Sequence, residues 1–241
     1  MMQYPCSSCK KECLSELLGT YLLVVLGPSS VIVASLIPNF TAAESLVFIA
    51  FSFGSTVAFV IYFLGRHSGA IINPAITFGA TFARILHSRY FVPYLFFQIT
   101  GGLLAGLTLK LVFSSATAST NQLGSTELAR GISPLTGFVI EIVGTFVLTI
   151  SALTASTRIK NAAGQALLVG STLFVLILFL GPLTGAGFNP ARSLGPSLAS
   201  GYLTNLYLYI IGPVIGAVIA GLVFRVVRDN GTKTRNLVCL C

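Results

Sequence analysis

The chain has 241 residues, of which 54% are hydrophobic and only 8% charged, with a net charge of +8. A soluble domain carries about 25% charged residues, so the composition excludes an ordinary soluble protein and reads as an integral membrane one. The basic excess does not signal nucleic-acid binding, because its residues sit at the ends of apolar stretches rather than on one face.

About 20 apolar residues cross the hydrocarbon core of a bilayer, and six stretches are long enough. They run roughly over Leu17–Ile37, Glu44–Leu64, Phe91–Phe113, Leu135–Thr154, Ala166–Gly181 and Leu206–Val227. The first is too long for the apolar region of a signal peptide and follows Lys10, Lys11 and Glu12, so it is expected to stay as the first span. Lys10 and Lys11 precede it. Arg66, Arg84 and Arg89 lie between spans two and three, and Arg158 and Lys160 between spans four and five. Arg225, Arg228, Lys233 and Arg235 end span six or follow it. With an even number of spans all of these share one side, leaving Lys110, Arg130 and Arg192 for the other. The positive-inside rule then expects both termini in the cytoplasm. The cysteines Cys6, Cys9, Cys13, Cys239 and Cys241 fall in the tails, none of them expected inside the bundle. On that side of the membrane disulfides seldom persist. Thiol-rich tails without a role are preferred over metal binding or palmitoylation.

Two short segments remain between the spans. Asn-Pro-Ala occurs at Asn73-Pro74-Ala75 and again at Asn189-Pro190-Ala191, 116 positions apart. Each copy follows a small-residue stretch, Ser68-Gly69-Ala70 before the first and Thr184-Gly185-Ala186-Gly187 before the second. The apolar run after each Asn, to about Ala83 and Leu198, covers roughly half a bilayer as helix. The halves match elsewhere too. Glu16-Leu-Leu-Gly19-Thr20-Tyr21 aligns with Glu141-Ile-Val-Gly144-Thr145-Phe146, and Gly101, Ala105 and Gly106 align with Gly216, Ala220 and Gly221. Each half holds three spans, an odd number, so the second half must enter from the opposite face as an inverted repeat. The expected fold is an all-α membrane protein of six transmembrane helices plus two re-entrant half-helices. It forms one domain over 1–241, with repeat one about 13–113, repeat two about 135–228, and cytoplasmic tails 1–12 and 229–241. The polar stretch Ser114–Pro134 is the expected join. Glycines inside the spans are read as close-packing positions only.

Asn is a preferred helix N-cap and Pro is favoured at the first helical position, so each tripeptide reads as a helix start. A helix start carries unpaired N–H groups and roughly +0.5 of a charge. Two such ends meeting at the midplane oppose cations. Two Asn amides there would both donate to a passing water, which could then not accept a proton from its neighbour. Arg192, three residues after Asn189, sits where a cation opposes the helix dipole and carries a heavy desolvation cost. Its counterpart in the first repeat is Ile76. This broken symmetry points to an electrostatic and steric gate, against the alternative of an interfacial Arg reaching the headgroups. Glu16 and Glu141 are the acids expected within spans. Their symmetric placement favours buried structural acceptors for loop N–H groups over a proton relay.

These residues resemble the aquaporin (major intrinsic protein) family over about Cys13 to Arg228, carried by Ser68-Gly69-Ala70-Ile71-Ile72-Asn73-Pro74-Ala75 and by Gly185-Ala186-Gly187-Phe188-Asn189-Pro190-Ala191-Arg192-Ser193. The resemblance implies a homotetramer with one pore per subunit in the plasma membrane. It implies passive flux of water or small neutral solutes, with no cofactor, no metal and no nucleic acid. It also implies a narrow ring of four residues: Arg192, Ala186, Phe53 in span two and Ile177 in span five. The water-selective pattern has His where Ile177 stands; this chain's histidines are His67 and His87. Glycerol-conducting relatives usually carry Asp at the position of Ser193, a basic residue at Ser197, and Pro-Leu where Tyr209-Ile210 stands. Gly181-Pro182-Leu183-Thr184-Gly185-Ala186 through Gly195-Pro196 also resembles the nodulin-like and bacterial branches. The expected function is a passive channel for water and other small uncharged solutes that excludes ions and protons. The alternative is a channel mainly for glycerol or metalloid hydroxides. Less favoured are a secondary transporter, for which only Glu16 and Glu141 offer an ion site, and a scaffold that has lost conductance. No nucleophile–base pair, P-loop or metal-ligand spacing points to an enzyme. Asn39-Phe40-Thr41 is a glycosylation sequon in an outer loop with use not expected, and His67 at the inner mouth is read as a passive loop residue rather than a pH sensor.

Overall fold

Every apolar stretch folds as a helix, and the elements run α1 (Lys10–Leu36), α2 (Ala42–Ser68), α3 (Pro74–Phe82), α4 (Phe91–Val112), α5 (Pro134–Arg158), α6 (Ala162–Thr184), α7 (Pro190–Ser200) and α8 (Leu206–Val238). Single 3-10 turns lie at Ser88–Tyr90 and Gln122–Gly124. The computed structural model describes residues 9–113 and 122–238, the stretch 230–238 as backbone alone. Thr41 and Glu44 cap α2 reciprocally: the Thr41 hydroxyl accepts from the Glu44 N–H at 3.2 Å and the Glu44 carboxylate accepts from the Thr41 N–H at 2.8 Å. Ser133 caps α5 and Asn161 caps α6. The α2 and α6 helices end on Gly69 and Gly185, both left-handed, which turns the chain into the loops that precede the tripeptides. Six of the helices are long and apolar enough to cross a membrane.

The boundaries differ from the sequence expectation where polar residues continue a helix. α1 begins at Lys10 rather than Leu17, because the turn from Cys9 to Cys13 is already hydrogen-bonded. Cys13 is therefore buried, at 3% exposure, against Tyr90 and Tyr94, contrary to the expectation that the bundle would hold no cysteine. A thiol behaves as a small hydrophobe and fills that site readily. Cys9 is half-buried. Cys6, Cys239, Cys241 and the part 114–121 of the expected join lie outside the described residues. At the other end α8 continues through Asp229 to Val238, so the expected tail 229–241 is helical as far as described.

The helix pairings repeat across the two halves. α1 lies on α4 as α5 lies on α8, and α1 lies on α2 as α5 lies on α6. Each half-helix docks on the last span of the other half, α3 on α8 and α7 on α4. The axis of this symmetry runs through the α2–α6 contact, where Gly54 and Gly170 face each other. A Cβ on Gly54 would lie 2.7 Å from the Gly170 carbonyl oxygen, and one on Gly170 would lie 2.6 Å from that of Gly54. The docking of α7 has the same character: a Cβ on Gly195 would run into the Gly102 carbonyl, and one on Gly106 into the Gly195 carbonyl. In the first half Gly79 and Gly221 repeat that contact. Small residues at these positions let helix backbones touch, which is the main source of helix association where lipid removes any hydrophobic drive.

Gly195→Val places a branched side chain against backbone that cannot move aside. It is expected to cost about 3 kcal/mol, and the check is a lower thermal unfolding midpoint and loss of monodisperse protein in detergent.

Candidate functional site

The two loops before the half-helices share one construction. In the first, Ala70 and Ile72 take left-handed conformations (φ 46° and 44°); in the second, Ala186 and Phe188 do the same (φ 48° and 50°). Such conformations cost side-chain-bearing residues about 1–2 kcal/mol each. Alternating handedness turns successive N–H groups to one side as an anion-binding concavity, and a carboxylate fills each. Glu16 accepts from Ile71 N at 3.0 Å and Ile72 N at 2.6 Å. Glu141 accepts from Gly187 N at 3.0 Å and Phe188 N at 2.8 Å. Both acids are fully buried. Each of the four carboxylate oxygens accepts from a loop N–H.

Further partners hold each loop. The Ser68 and Thr184 hydroxyls accept from Ala70 N and Ala186 N, and the phenols of Tyr94 and Tyr209 donate to the carbonyls of Ser68 and Thr184. Side chains also donate to each acid: the Ser68 hydroxyl and Gln98 (2.7 Å) to Glu16, with Gln98 accepting from Thr77, and the Thr184 hydroxyl to Glu141 at 2.8 Å. Sequence reasoning missed Ser68, Thr184, Tyr94 and Tyr209. The first two occupy matching positions just before each tripeptide, a signal that was available.

The paired asparagines meet at the loop tips. Each Oδ1 caps its own half-helix: Asn73 accepts from Ala75 N at 2.9 Å and Ile76 N at 3.4 Å, Asn189 from Ala191 N at 3.0 Å and Arg192 N at 3.3 Å. Each Nδ2 crosses over, Asn73 donating to the Phe188 carbonyl and Asn189 to the Ile72 carbonyl, both at 2.9 Å. One hydrogen of each amide is spent tying the loops together, which leaves one per side chain. Pro74 and Pro190 occupy the first helical turns, and Ala75 and Ala191 pack behind them, fully or nearly fully buried.

A cavity of about 1400 Å³ runs along these loops, and both asparagines line it. Phe53, Ala186 and Arg192 line it toward one end, and Glu12, Arg84, His87, Arg89 and Arg228 toward the other. The histidine at this mouth is His87. His67 lies outside the lining and accepts a hydrogen bond from Arg66 instead. Between the ends the wall is mostly aliphatic, with Leu23, Val57, Ile76, Leu148 and Val169 among its residues. Arg192 is 3% exposed, its guanidinium carbon 5.0 Å from the centre of the Phe53 ring, and its Nη1 donates to the Gly124 carbonyl at 2.8 Å. A face-on ring and a carbonyl offset part of the cost of placing a cation at a helix start. Its buried Nε has no partner among the described residues. Gly124 carries no signal in the sequence, since it comes from the 3-10 turn between the two repeats. Ile177 shares a buried cluster with Phe53 and Ala186, but the α6 residues that line the cavity are Gln165, Val169 and Leu173, and Ile177 lies one turn beyond Leu173.

Comparison with known proteins places this arrangement in context. A sequence model described as "Major intrinsic protein" matches residues 4–224. Aquaporin AqpM of Methanothermobacter marburgensis is 34% identical over 90% of this chain and 97% of its own length. Aquaporin NIP1-2 of Arabidopsis thaliana is 35% identical over 94% of this chain and 77% of its own length. Among solved structures, the aquaglyceroporin from Plasmodium falciparum has the same fold, with a TM-score of 0.76 at 22% identity, covering 90% of this chain and 96% of that one.

Glu141→Ala would strand two N–H groups and the Thr184 hydroxyl in a dry interior, at about 1–3 kcal/mol for each donor. Glu141→Gln keeps one acceptor oxygen and is expected to unfold at an intermediate temperature. Thermal unfolding in detergent, with water flux of the same preparations, checks the order wild type, Gln, Ala. Equal stabilities of the three would overturn the role of the acid as a buried strut of the loop.

Proposed function

The chain belongs to the major intrinsic protein family and is a passive multi-pass membrane channel, not an enzyme, and we propose that it conducts water and other small uncharged solutes while holding back ions and protons. The observation that carries this reading is the meeting of Asn73 and Asn189 on the wall of one long cavity, each with a single amide hydrogen left for solute. A water at that point accepts from both amides, so its oxygen is no longer open to a proton from the next water. The two half-helix N-termini add a positive potential that cations must climb.

In this reading Arg192, Phe53 and Ala186 form the gate with Ile177, and Glu16 and Glu141 are buried struts of the loops. A small Ala186 and an apolar Ile177 leave the gate less polar than a ring with histidine, which supports passage of solutes somewhat larger than water. A channel mainly for glycerol or metalloid hydroxides is the second reading. Ser193 and Ser197, where glycerol conductors carry Asp and a basic residue, weigh against the first of these. The whole chain acts as a single channel domain. The distribution of Lys and Arg supports cytoplasmic termini, and the plasma membrane is the proposed location. Bands of exposed Leu, Val, Ile and Phe on the outer faces of the long helices suit lipid and three further copies in a homotetramer.

Stopped-flow light scattering on proteoliposomes tests the function. Flux should be linear in the osmotic gradient and independent of proton or sodium gradients; saturation or coupling to either ion would sink the channel reading. Arg192→Val is expected to raise proton and cation leak about tenfold, the equivalent of about 1.4 kcal/mol of barrier, and to admit larger neutral solutes. Ile177→His should lower the glycerol-to-water permeability ratio several-fold. An unchanged ratio would remove Ile177 from the gate.

A further inference from the structure

The Arg192 side chain donates to one protein acceptor among the described residues, the Gly124 carbonyl. That carbonyl is held from outside the pore. Gln122, Leu123 and Gly124 all have positive φ, at 47°, 55° and 68°. Side-chain-bearing residues adopt this conformation only under constraint, and two in succession need a strong one. The constraint is visible at Leu123. Its side chain is fully buried between Ile32 of α1, Leu109 of α4 and Ala199 of α7, with Phe113 alongside. Gly124 in turn lies flat on Pro28 of α1, where a Cβ would come within 2.7 Å of the Pro28 carbonyl oxygen. Leu123 takes no part in lining the cavity. Yet it plugs into α7, the half-helix whose first turn carries Arg192, so it fixes the carbonyl and the guanidinium to one body.

We infer that Leu123 is a positioning residue for solute selectivity: buried remotely among α1, α4 and α7, it holds the inter-repeat turn in the path that presents the Gly124 carbonyl to Arg192. This rests on the proposed role of Arg192 as the gate. Without the plug the turn relaxes toward ordinary backbone conformations, the carbonyl withdraws, and the guanidinium gains freedom to leave the Phe53 face. A leucine that only stabilised the turn would affect unfolding and leave selectivity alone.

The test is permeability of full-length protein in vesicles, normalised to protein incorporated, for water, glycerol and urea, with proton leak read by an internal dye. Leu123→Ala and Leu123→Gly are expected to raise the glycerol-to-water ratio about threefold or more, and Leu123→Met to restore it to the wild-type value. The glycine variant separates two causes. Glycine suits the left-handed backbone better than leucine, so a wild-type ratio in Leu123→Gly would show that backbone path and not the buried side chain holds the carbonyl, overturning the inference. Arg192→Val runs alongside. If it shifts the ratio and Leu123→Ala does not, the inference falls alone; if neither shifts it, the gate reading falls and takes the inference with it. Should Leu123→Ala fail to incorporate, Leu123→Val, a smaller truncation, is scored by the same ratio.

Discussion

Two reciprocal hydrogen bonds hold the centre of this molecule. The amide of Asn73 donates to the carbonyl before Asn189, and the amide of Asn189 donates to the carbonyl before Asn73. Each side chain therefore does three things at once: it caps its own half-helix, it ties down the opposite loop, and it keeps one hydrogen for what passes. No other polar side chain of similar length combines an acceptor and two donors on one planar group. The arrangement also makes the halves interdependent, because neither loop can shift without breaking a bond to the other.

Non-helical backbone at membrane depth is tolerated only where its polar groups find partners. The buried carboxylates of Glu16 and Glu141 meet that need from behind, collecting N–H groups that alternating left-handed residues aim at them. With the donors gathered on the side of the acids, the other side of both loops, as far as Asn73 and Asn189, lines the cavity. One intramembrane acid per repeat thus shapes a pore wall without facing the solute. The tips of the half-helices meet because glycines let them sit directly on the backbone of α4 and α8; a bulkier contact would hold them apart.

The second repeat departs from the first at Arg192. Ile76 and Arg192 occupy equivalent first turns, yet only the latter needs an acceptor and an aromatic face. The acceptor comes from neither repeat but from the turn that joins them, and the aromatic face comes from Phe53 of the other half. Asymmetry of function is thus built on a symmetric frame by adding partners from outside it.

Much of this was legible in the residues. Duplicate Asn-Pro-Ala segments, matched Glu and Gly positions and six apolar runs determine an inverted repeat with paired helix starts, because capping preferences and bilayer thickness are local constraints that a linear pattern records. The long-range partners were not legible. That each asparagine spends a hydrogen on the opposite loop, that Gly124 receives Arg192, that Gly54 meets Gly170 and that Cys13 is buried beside Tyr94 all depend on which backbones approach in three dimensions. Chain order carries no trace of contacts made between residues 68 to 117 positions apart. Tertiary structure decided them, through close packing of glycines and the cost of leaving a buried donor without an acceptor.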